Sequence, residues 1–198
     1  RLHAVDLREA GLEDFGRAGN YFARQVSRWS RQYELSRTER IAAMDELLEW
    51  LPRHVPDDDT VTLVHGDYRL GNLILHPREP RVVAVLDWEL STLGHPLADV
   101  AYNCVFDVLG TGLGDLPERD GVPSEEQYLA AYARRTGRSP GPHWNFCLAF
   151  SLFRLAAITQ GVYARGLRGN AASAAALDAG DRKSTRLNSS HSSVSRMP

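Results

Sequence analysis

His65-Gly66-Asp67-Tyr68-Arg69-Leu70-Gly71-Asn72, followed fifteen positions later by Asp87 in Leu86-Asp87-Trp88-Glu89, is the part of this 198-residue chain whose residue types can do chemistry. Moving a phosphoryl group needs one carboxylate to orient the attacking hydroxyl and accept its proton. It also needs a second carboxylate and an amide oxygen to hold Mg²⁺ against the nucleotide phosphates. The segment offers Asp, Asn and Asp in that order. Lone Asp and Asn residues between strands also form turns, because their side chains bond nearby backbone groups. Both readings attach to Asp67, Asn72 and Asp87.

The elements around these residues must bring them together. Val61-Thr62-Leu63-Val64 reads as a short strand that delivers the chain into His65. Leu73-Ile74-Leu75 and Arg81 to Leu86 flank the turn-like Pro77-Arg78-Glu79-Pro80, a small hairpin with Asn72 at one end and Asp87 at the other. Adjacent strands lie about 4.8 Å apart, so the two candidate metal ligands can converge. Upstream, Ser36 with Glu39 makes a capping-box pattern. Ile41, Met44, Leu47, Leu48 and Leu51 then repeat at helical spacing, predicting a helix from Ser36 to about Leu51. Pro52, Pro56 and Asp57-Asp58-Asp59 close it. After Pro96 the pattern is helical: about 97–109, 124–136 behind a Ser124/Gln127 capping box, and 143–166. The class is α+β and mostly helical.

A formal net charge of -2 and a pI near 6.4 argue against nucleic acid or an anionic membrane as the main partner. That charge balance fits a cytoplasmic enzyme better. No apolar run reaches the roughly 18 residues a membrane span needs, and Arg1-Leu2-His3 opens no signal peptide. Cys104 and Cys147 have no metal spacing and read as buried thiols. All but one of the 23 basic residues are Arg, and the one lysine is Lys183. Kinase-type sites hold the α and β phosphates with a strand-borne lysine. Nothing ahead of the His65 loop can supply it.

The pattern His-Gly-Asp, Asn five residues after the Asp, an apolar strand into Leu-Asp-Trp-Glu, and Gly94-His95-Pro96-Leu97-Ala98-Asp99 resembles the aminoglycoside phosphotransferase and choline kinase group of protein-kinase-like enzymes. Arg24 to Ser30 and Phe150 to Ala156 resemble the branch found fused or adjacent to acyl-CoA dehydrogenases. The resemblance implies a kinase-like C-terminal lobe over residues 1–181, with the nucleotide lobe missing. It also implies ATP and Mg²⁺ as cofactors and a small-molecule hydroxyl as acceptor, in this branch a hydroxyacyl thioester or hydroxy acid. It makes Asp67 the catalytic base, and Asn72 and Asp87 the Mg²⁺ ligands. Arg69 becomes a neutraliser of the transferring group, Asp99 a brace of the loop through backbone N–H groups, and His65 a packing residue beneath it.

Other readings stay open. His65, Asp67, Asp87, His95 and Asp99 could form a mixed N/O metal cluster of a hydrolase, or the chain could be a non-catalytic binding module. Glu89 and His95 read as local structural residues, and His76 and His143 as ordinary ones. Gly110-Thr111-Gly112-Leu113-Gly114 reads as a connection, because no helix N-terminus follows it. Arg24, Arg28 and Arg31 beside Trp29 read as a solvated face, with a coenzyme A phosphate contact as the alternative. The Ser-rich stretch 182–198 is expected to be disordered and non-native.

Overall fold

The computed structural model describes residues 1–108 and 121–168. The glycine-rich Gly110–Gly114 stretch and the 182–198 tail lie outside the described residues. In chain order the elements are α1 (Tyr21–Ser36), α2 (Ala42–Arg53), β1 (Thr62–Val64), β2 (Leu73–Leu75), β3 (Val82–Val85) and β4 (Thr92–Gly94). Then come α3 (Pro96–Val108), α4 (Glu125–Thr136) and α5 (Trp144–Leu167). Helix dominates and strands are short, as the α+β reading expects. The chain divides into two compact units, Arg1–Tyr21 with Pro56–Ser151 and Phe22–Val55 with Leu152–Pro198.

The first unit holds both sheets. β1 pairs antiparallel with β4, Leu63 opposite Leu93, and β2 pairs antiparallel with β3, Leu73 opposite Val85. The β2–β3 hairpin is the expected one. The β4 partner of β1 carries no sequence signal, because Thr92-Leu93-Gly94 is too short to show alternation. Leu63, Val64, Leu93, Val100, Ala101, Val105, Phe146, Cys147 and Phe150 form a buried core. Cys104 and Cys147 are buried thiols outside any disulfide, and burial pushes the Cys147 thiol up to about 12, far from a reactive thiolate. The Ser124 capping box is present: Ser124 Oγ accepts from Gln127 N–H at 3.2 Å, and Gln127 Oε1 accepts from Ser124 N–H at 2.9 Å.

The second unit corrects one expectation. Ser36 ends α1 rather than capping the next helix. Its hydroxyl donates back to the Gln32 carbonyl at 2.9 Å and to the Tyr33 carbonyl at 3.2 Å, so it is spent on the preceding turn. α2 begins at Ala42 behind an extended Ile41 that makes no side-chain cap, and it continues through Pro52 to Arg53. Gln160 Nε2 fixes the corner between α1 and α2, donating to the Ser36 carbonyl at 3.0 Å and to Thr38 Oγ1 at 2.7 Å. Met44, Leu51, Tyr33 and Phe153 are buried here, with the Tyr33 and Phe153 rings 6.3 Å apart.

A second correction concerns apolar length. The helical stretch Gly141–Leu167 is long and apolar enough to cross a membrane by length and composition, against the expectation that no apolar run reaches that length; Arg154, Gln160 and Arg165 interrupt it and hide it in the sequence. Most of its most apolar window is buried, and Phe150, Phe153 and Ala157 on it are core residues. In the second unit Trp29 has two cationic neighbours, the guanidiniums of Arg28 at 5.5 Å and of buried Arg154 at 5.4 Å.

Candidate active site

β1 ends at Val64 and hands the chain to His65, which is fully buried. The next bend needs glycine. Gly66 has φ +83°, and a Cβ built there would stand 2.5 Å from the Leu90 carbonyl oxygen. Asp99, in the first turn of α3, grips this bend. Its Oδ2 accepts from His65 N–H at 2.7 Å and its Oδ1 from Gly66 N–H at 2.8 Å. Asp99 is buried, and charge-assisted bonds of this kind are shorter and stronger than neutral ones.

His65 locks the loop from below. Its Nε2 donates to the Leu86 carbonyl at 2.9 Å, and its Nδ1 accepts from Asp67 N–H at 3.2 Å. A carbonyl only accepts and an amide N–H only donates, so the two partners set the ring's tautomer. The Trp88 ring packs 4.8 Å from it, and Trp88 Nε1 donates to the Val85 carbonyl at 2.8 Å. One imidazole therefore ties the Asp67 backbone to the strand exit that leads to Asp87.

Asp67, Arg69 and Asn72 converge above this base. The Asn72 amide donates to Asp67 Oδ2 at 2.8 Å and to the Asp67 carbonyl at 2.9 Å. Arg69 Nε lies 3.2 Å from the same Oδ2, a partly exposed ion pair. The hairpin then brings in Asp87: Leu86 N–H donates to the Asn72 carbonyl at 2.8 Å, one residue before it. Asp87 is exposed and left-handed at φ 66°, and its carboxylate does not cap the short 3-10 turn it precedes. Left-handed backbone in a non-glycine residue recurs at functional sites, where surrounding structure holds it.

The donor set fits a hard divalent cation. Both Asn72 amide hydrogens are committed to Asp67, which leaves Oδ1 to coordinate. With the Asp87 carboxylate, that gives the oxygen ligands Mg²⁺ prefers.

The hydrolase cluster does not form. His65 has both ring nitrogens in protein hydrogen bonds, and Asp99 has both oxygens on backbone amides. His95 lies apart, with Nδ1 accepting from Leu97 N–H at 3.3 Å and Nε2 3.2 Å from Asp58 Oδ2. Among the described residues no group of three or more His, Cys, Asp or Glu is placed to hold a metal ion. His3 approaches Asp99 unannounced, with Tyr132 and Arg138 bonded to His3 behind it, since no periodicity or motif marks them.

A small-sheet, largely helical lobe that presents Asp67, Asn72 and Asp87 on a loop and hairpin, braced by an acid on the next helix, is that of a kinase-like phosphotransferase. The chain belongs to the phosphotransferase enzyme family, whose model matches residues 1–147. It is 51% identical to a Ralstonia eutropha protein named for aminoglycoside phosphotransferases. That solved structure superposes with a TM-score of 0.85 over 93% of this chain and 58% of the other. Among curated proteins it is 49% identical to mouse acyl-CoA dehydrogenase family member 10 over 91% of its own length and 18% of that protein. It is 45% identical to human acyl-CoA dehydrogenase family member 11 over 86% and 23%. The chain thus spans less than a quarter of these curated relatives. A macrolide 2'-phosphotransferase type I shares the fold at 17% identity and a TM-score of 0.62.

Proposed function

We propose that this chain supplies the catalytic base and metal ligands of an enzyme that transfers the γ-phosphoryl of ATP to a small-molecule hydroxyl in the cytoplasm. The observation that carries the proposal is the Asn72 amide held against Asp67 Oδ2, beside a hairpin that delivers Asp87. The Asp67 carboxylate orients the acceptor hydroxyl and takes its proton. A loose transition state asks mainly for positioning, so a base of ordinary strength is enough. Arg69, already paired with Asp67, offsets charge as the phosphoryl group moves. Asn72 Oδ1 and the Asp87 carboxylate would hold Mg²⁺, which when bound would neutralise phosphate charge.

ATP as donor is supported by a fold neighbour, a thermostable aminoglycoside phosphotransferase APH(4)-Ia solved with AMP-PNP and hygromycin B. A hydroxyacyl-CoA or hydroxy acid as acceptor, and an acyl-CoA dehydrogenase as pathway partner, are supported by the names of the relatives. The lysine that steadies the nucleotide phosphates comes, in this proposal, from a second lobe. The chain is lysine-free before Lys183, and Leu70, Ile74, Leu75, Val83, Leu86 and Trp88 expose an apolar surface on and around the hairpin that such a lobe would cover.

The test joins this chain to a lysine-bearing nucleotide lobe and follows Mg²⁺-dependent phosphorylation. Asp67→Asn keeps the shape but loses charge and basicity, and is expected to lower turnover by about 10²–10⁴-fold with little change in nucleotide binding. Full turnover by Asp67→Asn would remove the base assignment, and acceptor binding without any turnover in the parent would favour the binding-module reading. The 198-residue chain alone is expected to turn over little nucleotide.

A further inference from the structure

The carboxylate that grips the loop is itself held by a residue far away in the chain. His3, in the 3-10 turn Leu2–Ala4, has a side chain only 11% exposed, and its Nε2 lies 3.2 Å from Asp99 Oδ2. Its Nδ1 lies 3.0 Å from the Tyr132 hydroxyl on α4, and Arg138 Nη1 donates to the His3 carbonyl at 3.0 Å. A carboxylate only accepts, so Nε2 carries a proton toward Asp99, and the Tyr132 hydroxyl, able to donate or accept, holds Nδ1.

The carboxylate torsion of an aspartate is broad and roughly two-fold, so backbone amides from one loop leave its plane loosely set. A third donor approaching from another segment removes that freedom. We propose that His3 is a positioning residue for the catalytic loop, donating from Nε2 to Asp99 Oδ2 so that the carboxylate keeps the plane that holds the His65 and Gly66 amides, and through them Asp67. α4 takes part through Tyr132, whose hydroxyl holds Nδ1 and so keeps Nε2 turned toward Asp99. The inference rests on the phosphotransferase reading for what the loop does, but not for the geometry it tests.

The experiment is residue-resolved amide exchange on the isotope-labelled 198-residue chain, comparing the His65 and Gly66 amides with those of the β1–β4 ladder. His3→Ala is expected to speed exchange at His65 and Gly66 by about tenfold relative to the ladder, the loss of a hydrogen bond to a charged acceptor. His3→Gln, whose side-chain N–H can reach Asp99, should restore protection, and Tyr132→Phe should weaken it. A residue that only anchors the N-terminal segment would show no such rescue. Unchanged relative exchange in His3→Ala, or no difference between His3→Gln and His3→Ala, overturns the proposal. If His3→Ala also strips the ladder of protection, His3→Gln and Tyr132→Phe decide: parent-like exchange in Tyr132→Phe with no protection in His3→Gln overturns it. The measurement needs no turnover. The expected pattern in a protein that never transfers phosphate would sink the functional reading and leave His3 in its role.

Discussion

Asn72 donates both amide hydrogens to Asp67, one to Oδ2 at 2.8 Å and one to the backbone carbonyl at 2.9 Å. The candidate base and a candidate metal ligand are thus a single hydrogen-bonded object. Asn72→Ala removes the restraint on the Asp67 carboxylate together with a cation ligand. In a protein carrying the nucleotide lobe, the Mg²⁺ concentration for half-maximal turnover is expected to rise at least about tenfold, the usual scale for loss of a metal-site ligand or support. A magnesium titration of activity checks this, and an unchanged midpoint would release Asn72 from the metal.

Asp99 accepts two backbone N–H groups in a buried setting. Asp99→Asn keeps the volume but turns one acceptor into a donor that faces an amide hydrogen. Each lost charge-assisted bond is worth about 1.5–3 kcal/mol, so a destabilisation of about 3 kcal/mol is expected in urea unfolding. A change under about 1 kcal/mol would mean the loop is held some other way.

Gly66 is left-handed and has the Leu90 carbonyl where a Cβ would go. Gly66→Ala combines a strained backbone with a contact against backbone that cannot rotate away. The expected loss is at least about 2 kcal/mol, seen as a lowered thermal midpoint. Gly137→Ala makes the comparison, since it is also left-handed at φ +70° but has nothing near its Cβ, and should cost less.

What could be read in advance follows from how local the signal is. Asn72 and Asp87 are joined by one hairpin, and the Ser124 box lies within four residues, so adjacent letters specify both. The Ser36 box failed because the same hydroxyl can serve the turn before it, and only the packing of Gln160 against the Ser36 carbonyl and Thr38 shows which helix owns it. His3 on Asp99 was illegible for a related reason. Nothing in Leu2-His3-Ala4 encodes a partner 96 residues away, and Tyr132 looks like any half-buried residue of an amphipathic helix. Loop chemistry was legible, and the long-range bracing of that loop was not.

Asp58 and His95 give the fold a defined acid response. Asp58 Oδ1 accepts from the Thr60 hydroxyl at 2.7 Å and its N–H at 2.9 Å, and these bonds hold its carboxyl at about 2 against an ordinary 3.8, with His95 adding less. Burial penalises the charged His95 ring and lowers its pKa from 6.5, with Asp58 opposing in smaller measure. In both cases the unfolded chain takes up its proton at higher pH than the folded one. Their contributions are therefore complete above the unfolded values and are lost as pH falls. His95 acts first, as pH drops below 6.5, and Asp58 follows between 3.8 and about 2. Thermal unfolding should show the midpoint sinking in both windows. His95→Asn, which keeps an acceptor for Leu97 N–H but cannot take up the proton, should flatten the first window and leave the second in place. An equal loss below pH 6.5 in His95→Asn would assign that window to other histidines.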